Sequence, residues 1–132
     1  MPQKIAAKLN NKIDKLKSYL NTDSNVVFAL VFGSTVKGKP GKNSDVDLAI
    51  YFEHPLEGLE LLAFICTLSD LTDKNVDVIV LNSASAFLRH QVIKYGVALM
   101  IKDKLTYTKF REKTITDYQE YIYVSGMEAY VR

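Results

Sequence analysis

Apolar residues near the start of the chain recur at spacings of three and four: Ile5, Leu9, Ile13, Leu16 and Leu20. That period matches a helical turn and predicts an amphipathic first helix. The polar run Asn21-Thr22-Asp23-Ser24-Asn25 ends it and turns the chain. Two continuous apolar runs follow, at about residues 26–32 and 46–52. Both are short, rich in β-branched and aromatic residues, and suited to strands covered on both faces. A loop rich in glycine and lysine joins them. Pro55 fits the opening of a second helix that runs to about Leu71. Val76-Asp77-Val78-Ile79-Val80-Leu81 reads as a third strand. Ser83 or Ser85 caps a third helix ending near Tyr95, with Gly96 as its stop. Val97 to Ile101 predicts a short edge strand, and about 104–130 a tyrosine-rich helical segment broken near Gly126. The pattern predicts an α+β (α/β-like) fold, a small mixed β-sheet with helices packed on it.

Composition changes this picture little. A chain of 132 residues with no linker, repeat or low-complexity tract reads as one domain, 1–132, ending in the tyrosine-rich segment at about 104–132. A hydrophobic content of 48% excludes a disordered chain. The net charge of +2 is too small to argue for nucleic acid as a direct partner. Cys66 is the single cysteine, which excludes an intrachain disulfide, and its apolar neighbours predict a core thiol. The amino terminus lacks the apolar core of a signal peptide, and no apolar run reaches the roughly 18 residues of a membrane span. The expectation is a cytoplasmic protein without a membrane partner.

The chemistry concentrates between the first two strands. Gly33-Ser34 is followed, after the ten residues Thr35 to Ser44, by Asp45-Val46-Asp47. Carboxylates at i and i+2 of a strand point to one face and repel unless cations sit between them. Divalent ions holding a nucleoside triphosphate supply such cations, through hard oxygen ligands. Gly33 lets a triphosphate approach the backbone, and Ser34 offers a hydroxyl and an amide N–H to its oxygens. Asp77, inside an apolar strand, is costly there unless it meets a cation. If its strand lies beside the second, Asp77 completes a three-carboxylate cluster as metal ligand and base. The plainer readings stay open: a simple turn at Gly33-Ser34, a solvated face for Asp47, and an exposed edge-strand charge for Asp77.

Lys37, Lys39 and Lys42 punctuate the loop, where lysine neutralises phosphate or merely keeps a loop solvated. Arg89 reads as a solvated helix position, with phosphate or base contact as the alternative. His54 and His90 lack partners at metal-ligand spacing and read as structural. Zinc, serine-nucleophile and Walker-type motifs do not occur.

Gly33-Ser34, Asp45-Val46-Asp47 and Asp77 resemble the nucleotidyltransferase superfamily of DNA polymerase beta and kanamycin nucleotidyltransferase. The short length, with residues 76–85 and Leu88-Arg89, is similar to minimal nucleotidyltransferase antitoxins of the MntA type. The resemblance covers about residues 5–101 and implies Mg2+ (two ions), ATP as substrate and a HEPN-domain ribonuclease toxin as partner. It implies Asp45, Asp47 and Asp77 as catalytic metal ligands, and Gly33, Ser34, Lys37 and Lys42 around the nucleotide. The activity it implies is AMPylation: AMP passes from ATP to a toxin tyrosine by in-line attack on the α-phosphate. Lys37 stands where such loops often carry arginine, so charge is kept but bidentate phosphate binding is lost.

Two other functions compete. One is an antitoxin that acts by binding alone; the other is a small-molecule nucleotidyltransferase with its acceptor cleft between subunits. The intact pair of repelling aspartates favours catalysis. In the tail, Tyr107, Phe110, Thr114, Tyr118 and Tyr121 follow helical spacing, with Tyr123 and Tyr130 beyond. Such a stripe packs on its own domain or serves as a docking face for a toxin or a second copy, in a homo- or hetero-oligomer.

Overall fold

The computed structural model describes residues 7–32 and 46–131, with side chains from 11 to 32 and from 46 to 126. Helix α1, Ala7–Thr22, leads into strand β1, Val26–Phe32, and strand β2, Val46–Phe52. Helix α2, Gly58–Thr72, crosses to strand β3, Val76–Val80, which ends in a 3-10 turn at Leu81–Ser83. Helix α3, Ala86–Tyr95, strand β4, Val97–Ile101, and the long helix α4, Lys104–Val131, complete the chain.

The described strands form one sheet in the order β3-β2-β1-β4. β1 pairs antiparallel with β2 and β4, whereas β2 and β3 run parallel. A parallel pair needs a crossover, and α2 supplies it. Both faces are covered, which explains the unbroken apolar runs. On one face α1 and α2 bury Leu16, Leu20, Phe64 and Leu68 against Val31, Leu48, Ile50 and Phe52. On the other, Phe28, Leu30, Ala49 and Val92 meet Tyr51, Tyr107 and Phe110. There Phe28 stacks on Tyr51 at 5.1 Å and takes Phe110 edge-on at 5.3 Å.

Several expectations need correction. Helix α2 begins at Gly58, after Pro55. Cys66 is exposed, because α2 buries Phe64, Leu68 and Thr72 at a spacing of four. Leu81 leaves the strand for the 3-10 turn. Of the two serines, Ser85 caps α3, accepting the Leu88 N–H at 3.1 Å. Gly96 does end α3, but with φ of −83° it needs no left-handed backbone. Its value is space, since a Cβ there would lie 2.5 Å from the Val92 carbonyl oxygen. No break occurs at Gly126, for α4 is continuous.

Candidate active site

The end of the sheet where β1 stops and β2 begins gathers the described candidates. Phe32, last residue of β1, pairs with Asp47, and Asp47 in turn pairs with Asp77 on β3. Register partners in parallel strands point to the same face, with backbones about 4.8 Å apart. Both aspartates therefore rise on the α3/α4 face, from the rows that continue as Ala49 and Ile79 in its core. The Val46 N–H donates to the Asn75 carbonyl at 2.9 Å, which locks this register where the strands begin. Asp47 is half-buried and Asp77 is exposed on the edge strand. The pairing thus meets the condition for a shared carboxylate site, while the exposure also suits a plain edge-strand charge.

Gly33, Ser34, Lys37, Lys42 and Asp45 lie outside the described residues. Among the described residues no three acidic, histidine or cysteine side chains converge as a metal cluster. Two hard carboxylates on one face are nonetheless a donor set suited to magnesium.

Arg89 is not a solvated residue. Its side chain is 14% exposed and donates to the Ala84 carbonyl, to Thr114 Oγ1 and to Asp117 Oδ2 at 3.0 Å. It clasps α3 to α4. The Arg89 hydrogen bond, aided by Lys113, holds the Asp117 carboxyl below its ordinary value. His90 keeps a structural place, its ring lying flat on Tyr118 at 3.6 Å with Nδ1 buried. His54 acts through its backbone, which exchanges two hydrogen bonds with the Asn25 side chain.

At the opposite end of the same face lies an open groove of about 380 Å³, walled by Tyr51, Asn82, Arg89, Phe110, Lys109 and Lys113. Sequence reading passed over Asn82, whose side-chain amide bonds both the N–H and the carbonyl of Phe52. Its place directly after an apolar strand was the available signal. Among the described residues no helix is long and apolar enough to cross a membrane.

This arrangement of strands has known counterparts. Residues 14–105 match the Polymerase beta, Nucleotidyltransferase family, and the chain belongs to it. It is 34% identical over 92 residues to the protein adenylyltransferase MntA of Shewanella oneidensis. That match covers 67% of this chain and 63% of the relative, so the chain spans less than two thirds of that protein's length. Among solved structures, a chain of a toxin–antitoxin crystal structure with AMP-PNP is 27% identical, with a TM-score of 0.76. The match covers 90% of this chain and 94% of that one. A structure of a tri-AMPylated Shewanella oneidensis HEPN toxin in complex with MNT antitoxin shares the fold, at 23% identity and a TM-score of 0.71. Here 92% of this chain and 94% of that one are covered.

Proposed function

We infer that this chain is an antitoxin that transfers AMP from Mg-ATP to a hydroxyl, a tyrosine's, on a cognate HEPN-domain ribonuclease toxin in the cytoplasm. The observation that carries the reading is the Asp47–Asp77 register within a polymerase-beta-type nucleotidyltransferase domain. The similar adenylyltransferase MntA supports the reaction, and the similar toxin–antitoxin structure with AMP-PNP, an ATP analogue, supports the nucleotide and the partner.

In this reading Asp45, Asp47 and Asp77 hold divalent magnesium, two ions, which would offset the negative charge of the triphosphate. Gly33 and Ser34 give the phosphates a backbone without side-chain obstruction, and Lys37 and Lys42 add positive charge. Asp77 stands exposed at the sheet edge, open to an acceptor hydroxyl, and takes its proton as general base. In this reading the acceptor hydroxyl arrives on the partner's surface.

The test is to isolate the protein that co-purifies with this chain, incubate the pair with Mg-ATP and record intact masses. AMP-sized additions to the partner, absent with Asp45→Ala and Asp47→Ala, are expected. A stable complex whose masses never change would overturn transfer and leave an antitoxin that acts by binding.

A further inference from the structure

Strand β3 lies at the edge of the sheet and is only five residues long. Its register on β2 decides whether Asp77 stands beside Asp47. Side chains resist a slip of that register only in part. Sliding by one residue turns Asp77 toward the core, at the cost of burying a carboxylate. Sliding by two keeps every side chain on its own face, yet carries Asp77 about 6.6 Å along β2. Val78-Ile79-Val80 is apolar at every step and fits either placement.

Hydrogen bonds at the start of the strand supply what the side chains lack. The Asn75 carbonyl accepts the Val46 N–H from β2 at 2.9 Å. The Val76 N–H belongs to the same trans peptide, so it points the opposite way, toward the open edge. There it donates to Ser69 Oγ at 3.1 Å. One peptide unit is thus gripped from both sides, by β2 through its oxygen and by α2 through its nitrogen. Asp77 is the residue after Val76. Ser69 is anchored in turn, because its carbonyl accepts the Asp73 N–H that closes α2 and the Lys74 N–H at 3.3 Å.

We propose that Ser69 is a positioning residue of the carboxylate site. By holding the Asn75–Val76 peptide against α2, it keeps Asp77 abreast of Asp47, so that both reach one divalent cation. The inference rests on the reading of these two aspartates as metal ligands. A serine that only satisfied a strand-end N–H would leave metal affinity unchanged, and this separates the two roles.

Mn2+ binding to the full chain, followed by electron paramagnetic resonance, tests the proposal. Ser69→Ala is expected to weaken Mn2+ about tenfold or more, as loss of a group that orients a ligand does. Ser69→Thr keeps the hydroxyl and should bind nearly as the native chain does. Lys12→Ala is the matched control. It removes a 2.7 Å hydrogen bond to the Thr72 carbonyl in the same turn, and should lower the melting temperature without weakening Mn2+. Coupling is reciprocal, so saturating Mg2+ should slow hydrogen exchange at the Val76 amide of the native chain, again by about tenfold or more. That measurement requires no variant to fold. Native Mn2+ affinity in Ser69→Ala, equal weakening by Lys12→Ala, no recovery in Ser69→Thr, or Val76 exchange indifferent to Mg2+ overturns the proposal. Failure of the underlying reading looks different: the native chain then binds no Mn2+, or Asp77→Asn binds it equally well, and the role of Ser69 falls with it.

Discussion

Asp47 on β2 and Asp77 on β3 stand side by side as register partners in a parallel pair. The relationship separates two roles for Asp77, since a metal ligand or base is needed for transfer and an edge-strand charge is not. Asp77→Asn is expected to lower AMP transfer by about 10²-fold or more. Because the side chain is exposed, the variant should melt at the native temperature. Asp47→Asn should abolish measurable transfer. Native-like transfer by Asp77→Asn, in a rate assay with the toxin as acceptor, would remove Asp77 from the site.

What the sequence disclosed depended on whether a periodic signal existed. Helix α1 was legible because Ile13, Leu16 and Leu20 mark one face against a polar remainder, and all three contribute to the core. β1 and β2 were legible because burial on both faces leaves an unbroken apolar run. Helix α2 offered no phase, because Leu59, Leu62, Ala63 and Cys66 on its outer side are as apolar as Phe64 and Leu68 beneath. Apolar neighbours alone therefore put Cys66 inside, although two residues from Phe64 it lies on the outer side of the helix. A single glycine costs too little to interrupt a long helix, so Gly126 sits within α4. The Asp45-x-Asp47 spacing was readable in the chain. The alignment of Asp77 with Asp47 was not, because register between strands joined by a helix depends on tertiary packing.

Gly96 closes α3 by donating its N–H to the Val92 carbonyl at 2.7 Å. A Cβ at Gly96 would lie 2.5 Å from that same oxygen and 3.3 Å from the Val31 carbonyl oxygen, both backbone atoms that cannot rotate away. Gly96→Ala should therefore cost about 1–3 kcal/mol through overpacking, read as a lower midpoint in urea. A midpoint unchanged from the native chain would mean that the α3–β4 junction shifts freely.

Acid should loosen the clasp between α3 and α4. Asp117 has its carboxyl lowered chiefly by the Arg89 hydrogen bond, and Asp103, at the start of α4, is lowered chiefly by the Thr106 hydroxyl. A carboxyl depressed in the folded state stabilises fully above its unfolded value, near 3.9, and loses that contribution as pH falls through the folded value. Melting temperature should accordingly hold from neutrality to about pH 4 and decline below it. Asp117→Asn should start from a lower melting temperature at neutral pH and show a shallower acid decline. An equally steep decline in the variant would assign the acid sensitivity elsewhere.

Asn82 completes β2 from outside the sheet. Its amide nitrogen donates to the Phe52 carbonyl at 2.9 Å, and its amide oxygen accepts the Phe52 N–H at 3.0 Å. Both Phe52 groups lie at the end of a strand whose side chain there is buried against Phe64. Asn82→Ala leaves a donor and an acceptor without those partners and should cost about 1–3 kcal/mol. Asn82→Asp is the sharper variant, because it keeps an acceptor for the N–H but presents a carboxylate to the carbonyl oxygen. It should be no more stable than the alanine variant, whereas an amide serving only as an acceptor predicts a stability near that of the native chain. Urea midpoints of the two variants decide between these, and amide exchange at Phe52, accelerated in Asn82→Ala, locates the loss at this strand end.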